Sequence, residues 1–197
     1  MRTIGVRRLG LCALALTALI FGGCSDSGSM VGNNTGRVRI VMDGPATQAA
    51  TLEAAQLTAM NDGSGRTLTS AEIQISSILA RNLDGELIDI ALTLPATVDL
   101  IALIQGGTHE LPTGALPAGS YDQIVVVIKS LTVGLSDGTE VEVRPPGGGW
   151  TAVVNTDPFD VADGAVTTVT LHFRARDAFQ VVNGELEFSP GFDCEHD

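Results

Sequence analysis

Three histidines, twenty-three acidic residues and one tryptophan are among the side chains of this chain that can do chemistry. His109-Glu110 begins like a helical zinc-hydrolase motif. Leu111-Pro112 follows, and the proline prevents the helix that would bring a second histidine round. His172 and His196 are scattered elsewhere, and His172, between Leu171 and Phe173, is expected to face solvent or a polar edge. No glycine-rich loop leads into Lys-Ser/Thr to cradle phosphate, and no G-x-G-x-x-G turn is present. Acid-rich turns at Asp84/Glu86/Asp89, Asp157/Asp160/Asp163 and Asp193/Glu195/Asp197 offer oxygens of the kind calcium takes. None has the D-x-D-x-D-G spacing, and Asp also favours turns for its own backbone hydrogen bonds. They read as solvated turns, with no metal site and no cofactor expected. Trp150 follows Pro145-Pro146-Gly147-Gly148-Gly149. It is either an exposed aromatic contact for a sugar or protein, or an indole buried at a strand start.

The charge excludes some partners. The chain carries −12 over 197 residues, and three of its eleven basic residues (Arg2, Arg7, Arg8) precede the first acid. Without them, 8 basic residues face 23 acidic ones, a net charge of −15. Such a body is repelled by phosphate backbones and by anionic lipid, so nucleic acid is not an expected partner. Hydrophobic residues make up 44%, enough for a packed core.

Residues 1–23 have the parts of a secretory signal: arginines, then an apolar run from Leu9 to Phe21 that is shorter than the roughly 20 residues a bilayer needs. Phe21-Gly22-Gly23-Cys24 closes it and resembles the lipobox of bacterial lipoproteins, with Phe21 in place of the usual Leu or Val. The resemblance implies cleavage before Cys24 and acylation of its thiol and of the new amino terminus. Two or three acyl chains, each contributing about 0.8 kcal/mol per buried CH₂, hold almost irreversibly. Ser25 in place of Asp favours the outer membrane. Residues 25–36 are rich in Ser, Gly and Asn and read as a flexible tether whose reach of roughly 20 Å exceeds the Debye length of about 8 Å. Once Cys12 leaves with the leader and Cys24 is acylated, Cys194 is the remaining thiol, and the domain forms no internal disulfide.

The body, residues 37–192, reads as all-β. Val38, Ile40 and Met42 alternate up to Asp43-Gly44-Pro45. Residues 46–60 fit a helix or a strand equally. Ile73, Ile75 and Leu79 lead through Asp84-Gly85 into Leu87 and Ile90, a hairpin. Ile124, Val126 and Ile128 share one face of a long strand, Asp137-Gly138 turns it towards Val141 and Val143, and Asp163-Gly164 precedes a strand from Val166 to Ala175. Seven to nine short strands predict an antiparallel β-sandwich of prealbumin or immunoglobulin-like type. Residues 193–197 read as an acidic tail.

Three stretches carry a family resemblance: Asp43-Gly44-Pro45-Ala46, Val98-Asp99-Leu100-Ile101-Ala102-Leu103 and Leu116-Pro117-Ala118-Gly119-Ser120-Tyr121. With them the body resembles a bacterial and archaeal lipoprotein family classed as a domain of unknown function. The last stretch is similar to a turn of prealbumin-like sandwiches, in which Pro sets φ and Gly supplies a permissive position. The resemblance implies a fold and a location, and brings no catalytic residues.

The expectation is a lipid-anchored module of the cell envelope, held to membrane through Cys24. It is non-catalytic, and it binds or scaffolds a protein or glycan through loops at 104–120 and 144–157. The rival readings are a calcium-dependent or enzymatic envelope module, and a structural envelope protein with no specific ligand.

Overall fold

A computed structural model describes residues 34–44, 66–145, 147–182 and 185–197. The expected signal peptide (1–23), the lipidated Cys24, most of the tether and the ambiguous segment 46–60 lie outside the described residues. One compact unit spans Gly32–Asp197.

The alternation at Val38, Ile40 and Met42 forms β1 (Thr35–Asp43), with all three side chains fully buried. Two long strands follow as the spine of the fold: β2 (Leu68–Asn82) and β7 (Gly119–Leu135) pair antiparallel over almost their whole length. β3 (Leu87–Asp89) returns along β2 as the Asp-Gly turn requires, and β4 (Ala96–Asp99) pairs further down it. The other edge of β7 takes β8 (Glu140–Val143) and β9 (Trp150–Val161). A second sheet sets β1 between β10 (Val166–Phe173) on one side and β5 (Thr108–Glu110) and β6 (Gly114–Pro117) on the other, with β13 (Phe192–His196) outside β10. β11 (Phe179–Val182) and β12 (Glu185–Phe188) form a separate hairpin.

Val38 and Ile40 from one sheet and Ile73, Ile75, Ile124, Val126 and Ile128 from the other belong to one buried cluster. Each fully buried aliphatic side chain contributes about 1.5–3 kcal/mol. This is a mostly β fold of several sheets, as expected, with differences that have local causes. Thirteen strands are described instead of seven to nine, because short segments flank the longer strands, β3 and β4 along β2 and β5 and β6 along β1. The β1–β10 pair is parallel, a long-range pairing that hairpin turns do not predict. The expected body ends at Phe192, but Asp193 to His196 continue β13 against β10. Phe192 is buried and Cys194 and His196 half-buried, while Asp193 and Glu195 are exposed, a period of two that makes a strand out of the supposed acidic tail. At the other end β1 begins at Thr35 rather than Arg37.

Val98-Asp99-Leu100 marks the junction from β4 into a short helix, α1 (Leu100–Ile104). Asp99 Oδ1 accepts hydrogen bonds from the backbone N–H of Ile101 at 2.9 Å and of Ala102 at 3.2 Å, satisfying two amides the first turn leaves open. Leu100, Leu103 and Ile104, one helical face, are buried. A second short helix, α2 (Ala175–Ala178), ends β10 before the expected Ala175. The Leu116–Tyr121 stretch works through its tyrosine: the buried Tyr121 stacks on Phe159 and its hydroxyl donates to the Pro117 carbonyl at 2.7 Å. Gly119 does not take the left-handed backbone expected of a permissive turn residue; Gly85, Gly138 and Gly164, in the three Asp-Gly turns, do.

Candidate functional site

The long β2–β7 pair is interrupted by bulges, and one of them builds a groove. Gln74 pairs with Ser130 and Ile75 with Ile128, so Lys129 is the extra residue on β7. On the opposite edge of β7, β9 pairs from Gly119 to Ile128 and β8 from Leu131 to Gly134. Lys129 and Ser130 therefore fall in the gap where one neighbouring strand has ended and the next has not begun.

The loop from β8 back to β9 passes beside this gap. Gly147 and Gly148 adopt φ of 90° and 99°, values that a Cβ disfavours. A Cβ at Gly149 would lie 3.3 Å from the Ile128 carbonyl oxygen, so the chain runs close to the core strand as it enters β9. Together these elements enclose an open cavity of about 450 Å³ lined by Gln74, Lys129, Ser130, Glu142, Arg144, Pro145 and Gly148. Its charges are unevenly balanced. Arg144 Nη2 pairs with Glu142 Oε2 at 3.1 Å on the exposed rim. Lys129, the chain's sole lysine, has no ion-pair partner among the described residues. Arg39, Arg66, Arg81 and Arg174 all pair with carboxylates.

The residues singled out by type lie elsewhere. Trp150, the first residue of β9, is half-buried against the core, edge-on to Phe188 with ring centroids 5.0 Å apart. It docks the β11–β12 hairpin and does not line the groove. His172, expected to face solvent or a polar edge, lies instead on an inner strand, β10, mostly buried among polar groups, with Nδ1 2.5 Å from Asp43 Oδ1 on the neighbouring β1. Glu195 Oε2 stands 3.5 Å from Nε2, within ion-pair range but outside hydrogen-bond geometry, leaving this buried nitrogen unsatisfied. Asp43 orients the imidazole, yet no hydroxyl or thiol hydrogen-bonds to it among the described residues. Cys194 pairs in register with the buried Leu171, so its thiol shares that face of the sheet and packs half-buried against the core. Burial pushes that thiol up from its ordinary value, which keeps it protonated and poorly nucleophilic.

Gly134-Leu135-Ser136-Asp137-Gly138 spells G-x-S-x-G, a match to the nucleophile elbow, but it leads from strand to strand rather than from strand to helix. Ser136 Oγ accepts from the Thr67 amide at 3.1 Å, and Asp137 caps the turn by accepting from Thr139 N–H at 2.9 Å. That backbone hydrogen bond, with help from Arg66, holds the Asp137 carboxyl below its usual range. Among the described residues no three His, Cys, Asp or Glu side chains converge as metal ligands. Of the two expected contact loops, 104–120 contains β5, β6 and the start of β7, and 144–157 is mostly β9. Only its Arg144–Gly149 part is the loop that walls the groove. Lys129, Ser130 and Gln74 are absent from the sequence-based expectation. Two polar residues in succession between Ile128 and Leu131 are the signal of a bulge there.

Residues 41–190 match a family described as a domain of unknown function (DUF4382). No curated protein matches the chain. Among solved structures, MbnP from Methylosinus trichosporium is similar at 13% identity over 70% of this chain and 75% of that one, with a TM-score of 0.33. That likeness is too slight to bear on what this chain does.

Proposed function

This chain belongs to the DUF4382 family, and we propose that it is an exported, lipid-anchored envelope protein whose β-sandwich, of prealbumin or immunoglobulin-like type, serves as a non-catalytic binding or scaffold module. The observation that carries the reading is Cys24 standing directly after Gly22-Gly23 at the end of an apolar run and before a Ser/Gly/Asn-rich stretch. Acylation there holds the protein to a membrane, with Ser25 favouring the outer one, while the tether lets the acidic body stand off it. The walled groove beside β7 gives a binding module a place to hold a ligand, and a protein or glycan of the envelope is the partner class.

Metabolic labelling with a palmitate analogue, followed by membrane fractionation, tests the anchor. The wild-type chain is expected to be labelled and membrane-bound, and Cys24→Ala to lose both properties. Label that survives Cys24→Ala, or an unlabelled soluble wild type, overturns it. Capture from envelope extracts is expected to enrich a protein or glycan partner.

A further inference from the structure

Resting on the binding-module reading, we infer that the groove at the Lys129 bulge is a binding site for an oxyanion, a carboxylate or phosphate group carried on a small hydrophilic molecule. The bulge is what creates the site. With Lys129 as an extra residue, Lys129 and Ser130 come in succession between the buried Ile128 and Leu131, and both line the cavity together with Gln74 and Arg144. An ammonium offers three donors and a guanidinium five. Arg144 has one nitrogen engaged with Glu142 and keeps other N–H groups for a ligand. Ser130 and Gln74 add neutral donors, a set that matches an oxyanion and the hydroxyls around it.

The setting makes this placement informative. The body carries roughly three acids for every base, and the arginines named above are neutralised by carboxylates. Its long-range field repels anions, so an anion is held only where local donors outweigh that field. Lys129, the sole lysine, has no ion-pair partner among the described residues, and it stands in the gap between β9 and β8 where a second cation, Arg144, lines the same cavity. Glu142 lends selectivity: it repels an anion that does not engage Arg144.

The test is amide NMR on the ¹⁵N-labelled full-length chain in non-ionic detergent at constant ionic strength, titrated separately with sodium glucuronate and with inorganic phosphate. Saturable shifts are expected at Lys129, Ser130 and Gly148 with at least one probe. Saturation by glucuronate alone assigns a carboxylate, by phosphate alone a phosphate, and by both an oxyanion site that accepts either. Loss of a charge-assisted hydrogen bond in Lys129→Gln is expected to weaken binding about tenfold or more. Lys129→Arg is expected to retain it, and Arg37→Gln, remote on β1, to leave it unchanged. Non-saturating shifts with both probes, or saturation unaffected by Lys129→Gln, overturns the proposal. If the titration fails while envelope capture still enriches a partner, the oxyanion site falls and the binding-module reading stands.

Discussion

Two bulges on β7 differ in what they do with their charge. At one end, Arg81 pairs with Gln123 and Asn82 with Tyr121, leaving Asp122 as the extra residue. Asp122 takes a two-pronged hydrogen bond from Arg81 on β2, Nε to Oδ1 at 2.9 Å and Nη2 to Oδ2 at 3.0 Å. Towards the middle of the strand, Lys129 forms no ion pair among the described residues, and its bulge opens onto a cavity that Glu142 and Arg144 also line. Both bulges turn polar side chains outward without moving the apolar ones off the core. The Asp122 bulge closes on itself and is structural. The Lys129 bulge has no such pair among the described residues and lines a cavity, as the proposed site requires. A bulge alone therefore says little about function; the state of its charge separates the two cases.

The largest expected effect comes from changing the spacing across the Lys129 bulge. Deleting Lys129 alone leaves Ile128 and Leu131 at the ordinary two-residue spacing of one strand face, but deleting Lys129 and Ser130 together makes them adjacent and throws Leu131, Val133 and Leu135 out of phase with the core, because side chains alternate along a strand. A loss of more than about 4 kcal/mol, or failure to fold, is expected for the double deletion in denaturant titration, whereas Lys129→Gln should stay within about 0.5 kcal/mol of wild type. A double deletion that melts with the wild type would show that the spacing from Ile128 to Leu131 does not set the phase of β7.

The next effect concerns the start of β9, beside the loop that walls the groove. Trp150→Ala removes a half-buried indole and its edge-on contact with Phe188, for an expected loss of about 2 kcal/mol. Because Trp150 is the chain's sole tryptophan, its emission reports that contact. Phe188→Ala is expected to shift the emission to longer wavelength, and an unshifted spectrum would mean that the hairpin does not shield the indole.

The smallest effect is at the closed bulge. The hydrogen bonds from Arg81 hold the Asp122 carboxyl below its ordinary 3.8. A carboxylate lowered in the folded state stabilises it above that ordinary value, and the contribution disappears as pH falls from about 3.8 through the folded value. Asp122→Asn should therefore lower Tm slightly at pH 7, less at high salt, and converge on wild type in strong acid. A constant difference across that acid limb would remove the ion pair as its cause.

The same bulges explain how far the sequence could be read. Val38, Ile40 and Met42, and Ile124, Val126 and Ile128, alternate without interruption, and their burial follows the pattern. In β2 the expected face of Ile73, Ile75 and Leu79 slips, and Ile78 and Ala80 are the buried pair instead. Ser76 is extra there, its hydroxyl donating to the Val127 carbonyl at 3.2 Å, so the phase changes between Ile75 and Ile78. At the C-terminus, acid density hid the alternation of Phe192, Cys194 and His196. Trp150 stood out by type, and Lys129 did not, because a lone lysine on a strand is ordinarily a solvated surface residue. What sets it apart is the cavity it shares with Gln74 and Arg144, which depends on residues distant in the chain.

Local chemistry in the sequence determined the β class, the three Asp-Gly turns, the acidity of the body and the seam at Cys24. Each depends on residues within a few positions of one another, where backbone preference and hydrophobic alternation act directly. Tertiary structure alone decided the parallel β1–β10 pairing, the gap between β8 and β9, and the placing of Lys129 and Arg144 on one cavity. Those depend on strand register between distant segments, and register is set by how two faces fit against a shared core.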